Sequence, residues 1–430
     1  MRTEEIYELF KKSTGVSTDS RNIRQGQLFF ALYGPNFNGN KYASDALSAG
    51  ALCAIIDDPD YETENTILVD DTLKELQFLA GLVRSELTAR VIGLTGSNGK
   101  TTTRELIAAV LSGKYKTYST IGNLNNHIGV PLTILASPPD TEILVVEMGA
   151  SNPGEIGRLC NIARPDIGIV TNIGTAHMEG FGSIEGVKAA KSEMYEYLRK
   201  TGGVAFYNES DAVLTELIYK YVVKAVPYAD PTGYDLITVT RPEELYLSGS
   251  ITFEGVDYQF RTNLFGAHNH QNIRAAMAIG LFFGVPVEDV VSAIETYTPS
   301  NNRSQVVKTQ HNTLVCDSYN ANPVSMANAI ESFSRLTGPD KVCIIGDMLE
   351  LGDMAEEEHH KVLGLIGTYG IKKCFAVGAM MKKLAPDYGY EAFADVDELV
   401  LSLRLNKLKE KMILIKGSRG IQLEKCYEAL

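Results

Sequence analysis

Short apolar runs bounded by turn residues alternate along this chain with stretches of helical period. Residues 28–32, 51–56 and 66–69 read as brief buried strands, and residues 72–87 follow with a helical pattern. They predict a small α/β unit over residues 1–88. Residues 91–95 then form an apolar strand pattern that runs through a glycine turn into a helix over 100–111. Residues 143–147 and 167–171 repeat the buried-strand signature. Such alternation predicts a mostly parallel sheet over residues 89–302. From residue 303 to 430 the pattern starts again. Strands are expected at 313–317, 342–346, 374–378 and 412–416, with helices over 324–336, 354–369 and 396–408. That succession is doubly wound and Rossmann-like. The expected fold class is therefore α/β in three domains, without repeats or low-complexity tracts.

Composition narrows the partners. Hydrophobic residues make up 44% of the 430 positions, enough for ordinary cores. A formal net charge of −13 argues against a nucleic-acid partner, because a phosphate backbone needs a basic face. A single nucleotide needs only one local electropositive loop. The first ten residues carry Glu4, Glu5 and Glu8 where a signal peptide would carry bases and an apolar run. The longest apolar stretch, residues 275–287, is too short to span a bilayer and contains Gly280 and Gly284. The six cysteines are scattered, with no C-x-x-C pair, and are expected to be reduced and mostly buried. Together these features predict a cytoplasmic protein with no membrane partner.

The most informative stretch is Thr95-Gly96-Ser97-Asn98-Gly99-Lys100-Thr101-Thr102, set between a strand and a helix. Gly96 and Gly99 allow backbone amides to turn toward phosphate oxygens, and the helix N-terminus favours an anion. Lys100 supplies a mobile charge for the terminal phosphates, and Thr101 a hydroxyl for Mg²⁺. The spacing is G-x-x-G-K-T, shorter than the usual phosphate-loop pattern, which has four residues between the glycines. A bare helix-capping glycine turn would not need the lysine and threonines.

The loop, followed in order by Glu147 in Val145-Val-Glu-Met-Gly-Ala, His177 in Thr171-Asn-Ile-Gly-Thr-Ala-His and Lys191 in Ala189-Ala-Lys-Ser-Glu, resembles the Mur ligase family. Taken singly, Glu147 is an ordinary strand-end carboxylate, His177 a structural histidine and Lys191 a solvated lysine; only the ordered set behind a phosphate loop suggests more. The resemblance implies that Lys191 is carbamylated, and that Thr101, Glu147, His177 and carbamylated Lys191 serve two Mg²⁺ ions. A carbamate is needed because a lysine ammonium has no acceptor. Gly266-Ala-His-Asn-His-Gln-Asn resembles a family motif that implies nucleotide contacts by Asn269 and Asn272, three apart on one helix face. Helix capping by Asn269 is the simpler alternative. Arg303 resembles the arginine that opens the third domain and reaches the phosphates. The family usually has glycine before it, where this chain has Asn302.

Further segments resemble one branch of that family, the ligases that join D-alanyl-D-alanine to UDP-N-acetylmuramoyl tripeptide. Ser17, Asp19, Ser20 and Arg21 resemble the UDP-sugar site, and Asn123, Asn125 and Asn126 a substrate loop. Asp317, Tyr319, Asn320 and Asn322 fall in a D-x-Y-N-A-N-P-x-S motif whose likeness implies substrate contacts by Tyr319, Asn320 and Asn322, although a second aspartate frequent after Asp317 is here Ser318. Gly346–Gly352 and Lys416-Gly-Ser418-Arg419 complete the likeness, and the D-N-P-R box of the branch adding diaminopimelate or lysine is absent. The resemblance implies an ATP-dependent, monomeric ligase working through an acyl phosphate, with Asp317 contacting the nucleotide. Two alternatives stay open: another amide ligase on the same scaffold, adding the third amino acid or glutamate to folate, and a phosphate-loop ATPase that drives motion.

Overall fold

The computed structural model describes residues 2–35, 37–174, 178–229 and 243–430. Three sheets organise them. The first has four parallel strands in the order Val16–Ser17, Leu28–Phe30, Cys53–Ile56, Thr66–Leu68. Its helix Thr72–Glu86 starts at Asp71, whose side chain accepts from the Lys74 backbone N–H, and buries Leu76, Leu79 and Ala80.

The central sheet is six-stranded and wholly parallel, ordered Lys224–Pro227, Val204–Tyr207, Ile167–Val170, Arg90–Thr95, Ile143–Glu147, Thr117–Ser119. Its inner strands are apolar on both faces because helices cover both sides. Helix Lys100–Ser112 packs on one face against helix Asn269–Phe282. The two approach so closely at Gly280 that a Cβ there would stand 2.4 Å from Val110 Cγ1. The long apolar stretch of the sequence is thus a buried core helix. Among the described residues no helix is long and apolar enough to cross a membrane.

The third sheet runs Gln305–Lys308, Thr313–Asp317, Lys411–Lys416, Asp340–Gly346, Lys373–Val377, Glu391–Phe393. It is parallel apart from the first strand, which pairs antiparallel with its neighbour. That edge strand was not expected from the pattern, being short and only half-buried. The hairpin Ser248–Phe253 with Val256–Arg261 was likewise missed, since its second strand is largely exposed. The six cysteines are free and buried.

This topology fixes where chemistry can occur. Thr95 and Glu147 end their strands in the central sheet, while Asp317 and Lys416 end theirs in the third. Parallel strands present their carboxyl ends together, so each sheet aims one row of loops into a shared crevice.

Candidate active site

The crevice has a volume of ≈ 1180 Å³ and is walled by all three sheet units. From the central unit come Ser97, Asn98, Gly99, Lys100, Thr101, Thr102, Asn123, Asn125, Asn126, Glu147, Asn269 and Asn272. Arg303, Asp317, Tyr319, Asn320, Asn322 and Lys416 face them from the third, and the helix carrying Lys74 and Gln77 borders them from the first.

The loop itself is held from behind. Gly96 has φ +139°, and a Cβ there would lie 2.0 Å from Thr171 Oγ1. Gly99 caps the helix at φ +80°, with Asn272 Oδ1 2.5 Å from where its Cβ would be. Only glycine meets both conditions. Asn172 Oδ1 accepts from the Asn98 backbone N–H at 3.0 Å, and Thr171 Oγ1 donates to Asn98 O at 2.6 Å. Ser97 Oγ and the Gly174 backbone exchange hydrogen bonds at 3.0 and 2.8 Å. Lys100 Nζ folds back to donate to Gly96 O at 2.7 Å. Burial pushes the Lys100 pKa down, Glu147 opposes this, and Arg303 adds to it. An anionic ligand would restore the balance.

Glu147, 2% exposed, is the hub. Its Oε1 accepts from Thr101 Oγ1 at 3.2 Å and Asn125 Nδ2 at 2.8 Å. Its Oε2 is buried without a hydrogen-bond partner, and Arg104 Nη1 stands 3.5 Å away. A spare buried carboxylate oxygen beside a hydroxyl suits a hard cation such as Mg²⁺. Among the described residues no cluster of three or more His, Cys, Asp or Glu could hold a metal by itself.

Lys191 does not line the crevice. It is buried on helix Ile184–Thr201, with Nζ 3.4 Å from Ala150 O and 5.3 Å from the Phe181 ring centroid. Burial, then the charge of Lys100, lowers its pKa to about 7. The solvated lysine that the residue would be in isolation is thus excluded. His177 lies outside the described residues.

Asn269 and Asn272 spend much of their hydrogen bonding on the protein. Asn269 Nδ2 donates to Phe265 O at 2.8 Å, Asn272 Nδ2 to Asn269 Oδ1 at 2.8 Å, and Thr103 Oγ1 to Asn272 Oδ1 at 3.0 Å. They tie the loop helix to the helix they begin. Asn269 is the first residue of that helix and not its cap, correcting the simpler expectation.

Across the crevice, Asn322 Nδ2 reaches the phosphate loop and donates to Asn98 Oδ1 at 2.6 Å. Asp317 accepts from Lys416 Nζ at 2.6 Å and from the Ser304 backbone N–H at 3.0 Å. Asn301, Asn302 and Ser304 have φ of +60°, +57° and +49°. Asparagine tolerates this region, so Asn302 adopts the turn without a glycine. Ser318 is buried against Tyr427 Oη at 2.7 Å.

Of the other expected residues, Ser17, Asp19, Ser20, Arg21, Ser418 and Arg419 lie outside the crevice lining, and Asn126 within it. Asp19 caps the 3-10 turn Ser20–Asn22 and accepts from Arg21 Nε at 2.9 Å, while Ser17 Oγ donates to Asp19 O at 3.1 Å. Asn126 Oδ1 caps the helix Gly129–Ala136 through the N–H groups of Ile128 and Gly129. Ser418 Oγ is buried and accepts from the Leu349 N–H, and Arg419 pairs with Glu424 at 2.9 Å. Sequence reasoning missed Arg104, Asn172 and Lys416 as parts of the site. Lys416 ends a strand like Glu147 does, which is the signal that could have found it.

Comparison with known proteins agrees with this geometry. Residues 94–280 match the Mur ligase middle domain, 302–419 the Mur ligase glutamate ligase domain, and 12–82 the Mur ligase family catalytic domain. The UDP-N-acetylmuramoyl-tripeptide--D-alanyl-D-alanine ligase of Bacillus subtilis (strain 168) is 38% identical over 97% of this chain and 93% of its own. A crystal structure of MurF from Acinetobacter baumannii superposes with TM-score 0.84 at 29% identity, covering 98% of this chain and 97% of that one. MurF from Thermotoga maritima in complex with ADP gives TM-score 0.84 at 25% identity, with the same two coverages. Phosphate loop, buried carboxylate, facing third sheet and near full-length likeness lead to one conclusion: the chain belongs to the Mur ligase family.

Proposed function

We propose that this chain is an ATP-dependent ligase joining D-alanyl-D-alanine to UDP-N-acetylmuramoyl tripeptide for peptidoglycan precursor synthesis. Relatives of that activity align along nearly its whole length. The observation carrying the reading is the crevice of ≈ 1180 Å³, where Lys100, Thr101 and buried Glu147 line one side and Arg303, Asp317 and Asn322 the other.

A carboxylate is a poor acyl donor, so it must first be activated. The tripeptide carboxylate attacks the γ-phosphorus of ATP, giving an acyl phosphate and ADP. The amine of D-alanyl-D-alanine then attacks the acyl carbon, phosphate leaves, and the amine's proton is released. Lys100 is positioned on the loop to offset charge on the transferring phosphoryl group. Thr101 and Glu147 would hold Mg²⁺, two ions in all, with carbamylated Lys191, which adjoins the crevice through Ala150, and His177 completing the set. When bound, Mg²⁺ neutralises charge on the phosphate oxygens and polarises the transferring group. Burial supports the carbamate, because a neutral amine is the form that takes up carbon dioxide.

Residues 1–88 hold the UDP-sugar through Ser17, Asp19, Ser20 and Arg21. Residues 89–302 hold ATP, with Gly96, Ser97, Asn98, Gly99, Thr102, Asn269 and Asn272 at the nucleotide and Asn123, Asn125 and Asn126 toward the peptide. Residues 303–430 hold the amine near Tyr319, Asn320, Asn322, Ser418 and Arg419 and bring Arg303 and Asp317 to the nucleotide. The enzyme works as a monomer in the cytoplasm, where ATP and nucleotide sugars are supplied. Lys100→Ala should keep the fold and abolish ligation. Near wild-type turnover in that variant would remove the assignment.

A further inference from the structure

Arg303 lines the crevice, its charge acts on Lys100, and among the described residues no carboxylate forms an ion pair with it. Its Nε is buried and makes no hydrogen bond. What it does have is a ring: Arg303 Cζ lies 3.6 Å from the centroid of Tyr319. Two hydrogen bonds flank that stacking. The Tyr319 N–H donates to Asn302 O at 3.2 Å, and the Ser304 N–H donates to Asp317 Oδ1 at 3.0 Å. The residues flanking Arg303 on both sides are in left-handed backbone conformations. The link therefore presents the arginine from a turn with little freedom, and the ring catches what the turn presents.

We propose that Tyr319 is a positioning residue for Arg303: its ring, not its hydroxyl, holds the guanidinium toward the phosphates. The physical case rests on geometry. A guanidinium is planar, and all its N–H groups lie in that plane. A ring on its face leaves those in-plane donors free for phosphate oxygens, whereas a carboxylate partner would take two of them. Arg274, elsewhere, pairs with Glu209, and Arg419, whose Cζ lies 5.9 Å from the centroid of the same Tyr319 ring, pairs with Glu424. Stacking also occupies one face of Tyr319, which removes that face from any contact with the incoming amine.

The proposal rests on the ligase reading and is tested in the full-length enzyme by steady-state kinetics in all three substrates. Tyr319 is half-buried at the crevice wall, where substitution leaves the core intact. Tyr319→Phe, which keeps the ring, should lower kcat less than Tyr319→Leu does. Tyr319→Leu should lower kcat by roughly 2- to 30-fold, the span of a cation–π contact, while KM for D-alanyl-D-alanine stays within about twofold. In an Arg303→Lys background, where the planar face is gone, Tyr319→Leu should cost little more. Tyr319→Met repeats the test if the leucine variant is insoluble. An active enzyme in which Tyr319→Phe is as damaging as Tyr319→Leu overturns the proposal. So does a rise in KM for D-alanyl-D-alanine at unchanged kcat, or an undiminished loss in the Arg303→Lys background. A wild-type chain without ligase activity would instead overturn the functional reading beneath it.

Discussion

Arg104→Met removes the cation that balances the buried hub. Arg104 is 2% exposed, its Nη1 lies 3.5 Å from Glu147 Oε2 and its Nη2 lies 2.7 Å from Glu105 Oε1. Nη1 also donates to Gly122 O at 3.1 Å, anchoring the loop that carries Asn123 and Asn125. Methionine fills much of the volume but supplies no charge and no donor. Losing the hydrogen bond costs about 1 kcal/mol. Leaving Glu147 buried without its cation costs more, and breaking one side of a buried pair totals roughly 3–5 kcal/mol. The Glu105 contribution is small, because that carboxylate is 20% exposed and keeps Tyr297 Oη at 2.7 Å. The chain has no tryptophan, so urea unfolding is best followed by far-UV circular dichroism. The transition that includes the central unit should shift by about 3–5 kcal/mol, and Arg104→Lys, which keeps the charge without the fork, should fall between. A loss under about 1 kcal/mol with full ligation would refute the view that Arg104 balances Glu147.

Two further outcomes follow from titratable groups. His270 Nε2 is buried without a partner, and burial followed by the Arg274 charge lowers its pKa from 6.5 to about 4. Between those values the unfolded chain binds the proton and the native chain does not, so stability is full above pH 6.5 and falls toward pH 4. His270→Gln should flatten that slope by about 2 kcal/mol in acid unfolding, after allowance for partial exposure; an unchanged slope would count against it. For Lys191, ligation should fall in buffer stripped of carbon dioxide and return with bicarbonate, with a carbamate signal in carbon-13 NMR. Lys191→Ala should lose most turnover yet still bind ATP, and full activity without carbon dioxide would sink the carbamate.

What the sequence made legible follows from periodicity and order. The inner strands of all three sheets are apolar on both faces, so 143–147, 313–317 and 412–416 stand out as runs and recur nearly unchanged as Ile143–Glu147, Thr313–Asp317 and Lys411–Lys416. Edge strands such as Val16–Ser17 and Glu391–Phe393 are too short and too mixed to show a period. Gly96 to Thr101 is legible because glycine, lysine and threonine are needed there together. Arg104 is not, because its burial depends on Glu147, 43 positions away, and on the fold that joins them. The Tyr319–Arg303 stacking was hidden for the same reason: its motif suggested a substrate contact, and only the left-handed turn at 301–304 turns the arginine onto the ring.

The central claim is tested most directly by incubating the purified chain with ATP, Mg²⁺, UDP-N-acetylmuramoyl tripeptide and D-alanyl-D-alanine, omitting each in turn, and following ADP and product mass together. The account predicts ADP release that depends on the carboxylate and amine substrates jointly, with one UDP-N-acetylmuramoyl pentapeptide formed per ADP. ATP hydrolysis indifferent to both substrates would contradict it, as would ligation of free diaminopimelate or lysine to a UDP-muramoyl dipeptide with none of the D-alanyl-D-alanine.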